Sequence, residues 1–359
     1  MEEMNDVIVI EPEVPDPSEI AAEKKSVRRA FSRCGWSTFA LTASVFALTW
    51  IFFAFVVEPI DRAGVDVWTF YTKNSLYINE VLIALAIFIG AIVLFRAPKT
   101  VPDKNKISPK HVVGIVFICF GVAWVGNIIG NAFILFWNSV TGNNVTNEIA
   151  DILTNIDPLQ MIVCTVVLAP VLEELFFRKL LIDRLYRFGE FPAIVISALL
   201  FGLFHQNFSQ FFYAFGVGLV LGYLYCKTGR YSIVVGLHAV FNLIGGAIPS
   251  LFTPKVLEFA EKMTELSAEA ETEAILSLFS DYAVPLLLYF GYIMIFGALQ
   301  ITGLVLFIIN FKKIVIKPSD TCLSKKETCK AIFLNVGMLA AIALLAFLTI
   351  RSLLPAGPI

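Results

Sequence analysis

The sequence predicts an all-α fold: a polytopic membrane bundle of about eight to nine transmembrane helices around a core of four. Three observations predict it. Hydrophobic residues make up 58% of the 359 and charged residues only 16%, against about 25% charged in an ordinary soluble domain. Mean hydropathy is +0.79. The charges fall in short clusters between apolar runs, and about 20 apolar residues in a helix cross a bilayer. The net charge of −2 suggests no nucleic-acid partner.

Residues 1–33 read as a disordered cytosolic tail. They begin acidic (Glu2, Glu3, Asp6), carry Pro12, Pro15 and Pro17, end basic, and show no cleaved signal peptide. N-terminal transmembrane helices fill 34–158, with spans at 34–57, 81–95 and 112–137; the second is short and could begin near Tyr77. A core at 159–249 holds spans 159–182, 191–207, 208–226 and 231–249. The short span 191–207 joins the next so tightly that the two should form a hairpin. An external acidic segment follows at 250–282. Its Leu257, Phe259, Met263, Leu266, Ile275 and Leu278 have helical spacing, which suits an amphipathic helix on the membrane and a solvated loop equally. C-terminal transmembrane helices at 283–359 hold spans 283–310 and 331–354.

Loop charges orient this nine-span chain. Cytoplasmic loops are rich in Lys and Arg. Basic clusters precede span one (Lys24, Lys25, Arg28, Arg29, Arg33) and follow span two (Arg96, Lys99, Lys104, Lys106, Lys110), span four (Arg184, Arg187), span six (Lys227, Arg230) and span eight (Lys312, Lys313, Lys317, Lys325, Lys326, Lys330). The alternate loops are poor in base, and 138–158 has none. A cytoplasmic N-terminus in the plasma membrane is the expectation. The six cysteines lack the spacing of a disulfide framework and read as reduced thiols.

Ionisable residues inside a membrane are costly, so each needs a reason. Span four carries Glu173, Glu174 and Arg178. Glu174 and Arg178 are four apart and share a helix face, where they can pair; Glu173 points about 100° away. One carboxylate is then neutralised and the other faces a cavity, as a general base or acid requires. A plain ion pair between helices would explain Glu174 and Arg178 but leave Glu173 without a partner. Pro170 lacks an amide and is expected to kink the helix beside them. Span five ends on Phe201 and His205, one turn apart, so the aromatic ring can fix the imidazole. Span seven places His238 one turn before Asn242, and both can donate hydrogen bonds to an oxyanion. The simplest chemistry is a water activated by Glu173 and His205. A divalent metal such as zinc, held by Glu173, His205 and His238, stays open.

Glu-Glu-x-x-x-Arg, Phe-x-x-x-His and His-x-x-x-Asn, in this order on neighbouring spans, resemble the three motifs of the CPBP family, the CAAX-protease and bacteriocin-processing (Abi) intramembrane proteases. The resemblance covers about 159–249, with no departure at the motif positions. It implies that this stretch is the catalytic core. Glu173 and His205 would activate the attacking water, His238 and Asn242 would form the oxyanion site, and Glu174, Arg178 and Phe201 would support them. It further implies an endopeptidase acting near the cytoplasmic face on a peptide or lipidated peptide among membrane lipids, with metal dependence open. Two other readings remain: a transporter using Glu173, His205 and His238 as a proton or cation relay, against which the lack of internal repeats argues, and a non-catalytic scaffold or immunity protein of the same fold. Gly126 with Gly130 and Gly218 with Gly222 read as close-packing positions. Asn127 and Asn131 read as helix–helix hydrogen bonding or, less simply, as cavity lining.

Overall fold

The computed structural model describes residues 16–145, 157–266, 272–319 and 321–354. Every element among them is helical. The helices are α1 (Pro17–Arg62), α2 (Val67–Leu94), α3 (Pro109–Thr141), α4 (Pro158–Phe188), α5 (Glu190–Phe204), α6 (Phe208–Thr228), α7 (Tyr231–Asn242, continuing through two short turns to residue 250), α8 (Thr253–Glu265), α9 (Thr272–Asp281), α10 (Ala283–Asn310), α11 (Lys325–Phe333) and α12 (Val336–Arg351).

Local chemistry starts most of these helices where they start. Asp16, Asp66, Ser108, Asp157, Asn207, Ser324 and Asn335 each accept a backbone N–H of the first turn, filling donors that a helix leaves open. Pro17, Pro109 and Pro158 follow three of these caps, where a missing amide costs nothing. At Asp66 the Thr69 hydroxyl and N–H hold the carboxyl below its ordinary range. Gly142 and Gly229 end α3 and α6 with φ of 71° and 57°, values that suit glycine.

Three boundaries differ from the sequence reading. Residues 17–33, expected as the end of a disordered tail, are the first turns of α1; residues 1–15 lie outside the described residues. Val27, Phe31 and Cys34 recur at helical spacing and are fully buried, and Phe31 packs on Phe188 with ring centroids 5.9 Å apart. The second span, expected from 81, begins at Val67, because Asp66 caps it there. The last span, expected as one run, breaks at Leu334 and Asn335 with a 63° bend. Buried Asn335 causes the break. Its Nδ2 donates to the Ile332 carbonyl at 2.6 Å and its Oδ1 accepts the Met338 amide at 2.9 Å, so one side chain ends α11 and starts α12.

Among the described residues seven helices are long and apolar enough to cross a membrane, or eight if α11 and α12 count as one bent span. The ninth expected span, α5, has 15 residues and so reaches only about 22 Å. It is buried by its neighbours along most of its length, so protein rather than lipid surrounds it. It turns into α6 within three residues, Gln206 taking φ 58°, which makes the hairpin expected from sequence.

The basic segments gather at one end of the bundle. The Arg33 guanidinium donates to the Arg96 carbonyl at 3.5 Å, the Thr100 amide to the Asp183 carbonyl at 2.6 Å, and the Asn105 amide to the Thr228 carbonyl at 3.0 Å. Glu190 accepts from Lys227 Nζ and from the Lys317 amide. At the other end Trp137 and Asn143 both donate to the Leu353 carbonyl. There α8 and α9 pack through Phe259 on Phe279, centroids 5.0 Å apart, and leave Leu257, Leu276 and Phe279 exposed; the external segment is thus helical where described.

Glycines set the closest crossings. A Cβ on Gly126 would come within 2.5 Å of the Tyr213 Cα, and one on Gly218 within 3.1 Å of the Ala198 Cα. These contacts bring α3 onto α6 and α6 onto α5, and so close the wall behind the polar cluster described next.

Candidate active site

Three helices carry the motif residues: α4 supplies Glu173, Glu174 and Arg178, the end of α5 supplies Phe201 and His205, and α7 supplies His238 and Asn242; α6 packs behind them. The two carboxylates stand in different surroundings. Glu174 is completely buried, with Oε2 3.0 Å from Arg178 Nε and Oε1 2.9 Å from His238 Nδ1. Glu173 keeps 17% of its side chain exposed, and its ion-pair partner among the described residues is His238 Nε2 at 3.7 Å. Helical periodicity explains the split. The residue four from Arg178 turns inward and the one before it turns toward the cavity side.

Arg178 is also fully buried. Its guanidinium stacks over the Phe201 ring at 4.6 Å and its Nη2 donates to the Gly218 carbonyl at 3.4 Å. Phe201 is the hub of the cluster. The same ring meets His205 edge-on at 5.0 Å and His238 edge-on at 5.9 Å. A guanidinium on one face and two imidazoles against the ring fix all three groups.

The two histidines differ in what their protons can do. His205 Nδ1 lies 3.0 Å from the Phe201 carbonyl. A carbonyl only accepts, so Nδ1 carries a proton, and Nε2 is the nitrogen that serves as acceptor whenever the ring holds one proton. His238 Nδ1 faces the Glu174 carboxylate, which likewise only accepts. Donation from His238 Nε2, toward Glu173 or toward an oxyanion, therefore requires the imidazolium form.

Asn242 has a structural task that sequence reading did not foresee. Helix α4 widens into π-type turns at Ile162–Leu168 and Leu175–Ile182, features often found beside functional sites. In the first, the Ala169 amide reaches five residues back to the Cys164 carbonyl. The next acceptor in that register is the Thr165 carbonyl, but Pro170 has no N–H to give it. Asn242 Nδ2 donates there instead, at 2.7 Å. Pro170 thus widens the helix rather than sharply breaking it, and Asn242 ties α7 to the carbonyl that Pro170 orphans. Asn242→Ala should cost about 1–3 kcal/mol, the usual penalty for a buried acceptor left open. In a Pro170→Ala background, where an amide is restored, the cost should shrink to less than half. Equal penalties in the two backgrounds, measured by thermal unfolding in detergent, would refute the link.

The structure brings Glu173, Glu174, Arg178 and His238 into one connected cluster, with Phe201 packed on it. It does not bring His205 into a hydrogen bond or ion pair with Glu173 or His238 among the described residues; its Nδ1 is engaged by the Phe201 carbonyl. Nor do any three His, Cys, Asp or Glu side chains among the described residues stand close enough to hold a metal ion. The ligand set Glu173, His205 and His238 does not fit a metal as arranged, because His238 already commits Nδ1 to Glu174 and His205 stands apart. Asn127 and Asn131 hydrogen-bond each other along α3 at 3.4 Å rather than joining the cluster.

Two residues escaped the sequence reading. Tyr213 on α6 sets its ring 6.5 Å from His205; nothing in its local sequence distinguishes it. Glu80 on α2 is buried and lies within electrostatic range of Glu173. A span drawn from 81 leaves it in a loop, whereas the Asp66 cap would have placed it well inside the helix.

Residues 155–244 match the protein family described as type II CAAX prenyl endopeptidase Rce1-like. The chain is also similar to the "Putative membrane peptidase YdiL" of Bacillus subtilis (strain 168), at 24% identity over 184 residues, covering 47% of this chain and 72% of that protein. No solved structure matches the chain.

Proposed function

We propose that the chain, whose residues 155–244 match the Rce1-like family of CAAX prenyl endopeptidases, is an intramembrane endopeptidase whose water nucleophile is activated by Glu173. The observation that carries the reading is the division of labour between two adjacent carboxylates. Glu174 is locked between Arg178 and His238, while Glu173 remains partly exposed, with His238 Nε2 3.7 Å away.

In the proposed step Glu173 takes a proton from a water held by His205 Nε2. The resulting hydroxide attacks the scissile carbonyl carbon, and the oxygen gains negative charge. His238 Nε2–H, as imidazolium, and the second N–H of Asn242 stabilise that charge. The C–N bond then breaks, and the proton held by Glu173 passes to the leaving amine. Water and an amide become a carboxylic acid and an amine, with nothing else consumed.

The basic end of the bundle faces the cytoplasm in this proposal, consistent with the loop charges, in the plasma membrane. His238 then lies about 10 Å in from that end, counting 1.5 Å per residue from Tyr231, and His205 meets the same Phe201 ring. A peptide entering from the cytoplasmic side, with or without a prenyl group, is the proposed substrate. The test is cleavage of a peptide panel, prenylated and bare, by the purified full-length protein with and without a chelator. Cleavage is expected in the wild type and not in Glu173→Ala or His205→Ala. Cleavage that persists in both variants would overturn the site, and the chelator arm reports whether zinc takes part.

A further inference from the structure

Glu80 is a buried acid without a counter-charge, and it borders the candidate site from a helix outside the family match. It is 8% exposed. Neither carboxylate oxygen has a hydrogen-bond or ion-pair partner among the described residues, and Oε2 is fully shielded. Every other buried acid has a partner. Glu174 has Arg178 and His238, Asp183 has Lys179 and Tyr225, and Glu190 has Lys227 and the Lys317 amide. Glu80 instead has a second acid for company: it lies within electrostatic range of Glu173, and also of Cys164. Helix α2 packs directly on α4, on the stretch that carries the motif glutamates.

An acceptor buried without a donor costs about 1–3 kcal/mol, and an uncompensated acid in a membrane interior costs more. A site that keeps such a group gains when a bound molecule brings the missing donor. Here the fixed charges favour a cation. The fully buried guanidinium of Arg178 on α4 is already engaged by Glu174.

We propose that Glu80 is a specificity-determining residue that accepts a hydrogen bond from a basic side chain, Lys or Arg, of a peptide bound beside Glu173. This rests on the peptidase reading of the site, but the recognition it describes is read by binding and does not need turnover. A substrate with an apolar residue at that position leaves Glu80 unpaired, and one with an acidic residue adds repulsion, so both are disfavoured.

The test uses the full-length protein in nanodiscs of zwitterionic lipid, with empty nanodiscs as control. Glu80 and Glu80→Gln are compared in a His205→Ala background, which removes turnover. Fluorescent peptides matched in pairs, Lys against Met at one position stepped along the chain, are titrated by anisotropy. At one position the Lys peptide should bind about tenfold more tightly than its Met partner, equivalent to about 1.4 kcal/mol. That ratio should fall to near one in Glu80→Gln and persist in Glu80→Asp, which keeps the charge and serves if the glutamine variant does not fold. No Lys preference at any position, or a preference unchanged by Glu80→Gln, overturns the proposal. A Glu80-dependent preference in a protein that shows no Glu173-dependent cleavage supports this inference and defeats the peptidase reading, so the two fail separately.

Discussion

Glu174→Ala should destabilise the protein by about 3–5 kcal/mol, the loss expected when one member of a buried ion pair is removed and the other charge stays behind. Arg178 and Glu174 are both fully buried, so no water can replace the carboxylate. Arg178 would keep the Phe201 ring and one backbone carbonyl, at 3.4 Å from Gly218, and neither carries a full negative charge. His238 would lose the partner of its Nδ1 at the same time, so the imidazole would be free to turn. The damage arises from the orphaned charge more than from the lost attraction. Removing both charges, as Glu174→Gln with Arg178→Met, should therefore recover part of the stability. Thermal unfolding of the purified protein, followed with size exclusion, reads both variants. A single variant as stable as wild type, or a double variant less stable than the single, would show that the pair does not hold the helices together.

Glu173→Gln is expected to behave in the opposite way. It should fold as wild type does, because among the described residues Glu173 makes no hydrogen bond, its ion-pair partner His238 Nε2 is 3.7 Å away, and part of its side chain is exposed. Its cleavage rate should fall by about 10²–10⁴-fold, the usual contribution of a positioned general base. Glutamine keeps the shape and a hydrogen-bonding oxygen but cannot accept the water's proton at neutral pH. The loss should appear in kcat, with KM little changed, since the proposed role begins only when a proton moves. A drop in stability matching that of Glu174→Ala would assign Glu173 to the scaffold. Unchanged kcat in a folded Glu173→Gln protein would remove it from the chemistry. The pair of variants separates two neighbouring glutamates by readout: one moves the unfolding midpoint and the other moves turnover.

Much of this was legible in the chain. Apolar runs define most helices, because hydrophobicity acts over a few residues and needs no distant partner. The motif spacing separates Glu173 from Glu174 by helical geometry alone, since a residue four from an arginine shares its face and its neighbour does not. Other features depend on contacts far apart in sequence. Residues 17–33 read as a tail by charge, yet Val27 and Phe31 are buried because Phe188 and the C-terminal helices lie against them. The bend at Asn335 reflects a side chain that caps in both directions only once both helices are in place.

The sequence by itself determined that the chain is a helical membrane bundle, which end of it is basic, and which of two carboxylates pairs with Arg178. These follow from hydrophobicity and from the 3.6-residue period, which are local. The tertiary structure alone decided that Phe201 packs against Arg178 and both imidazoles, that Asn242 answers the carbonyl Pro170 leaves open, and that Glu80 is buried within electrostatic range of Glu173. Each depends on where one helix rests against another. Burial and hydrogen-bond partnership belong to the packed bundle, and no local pattern encodes them.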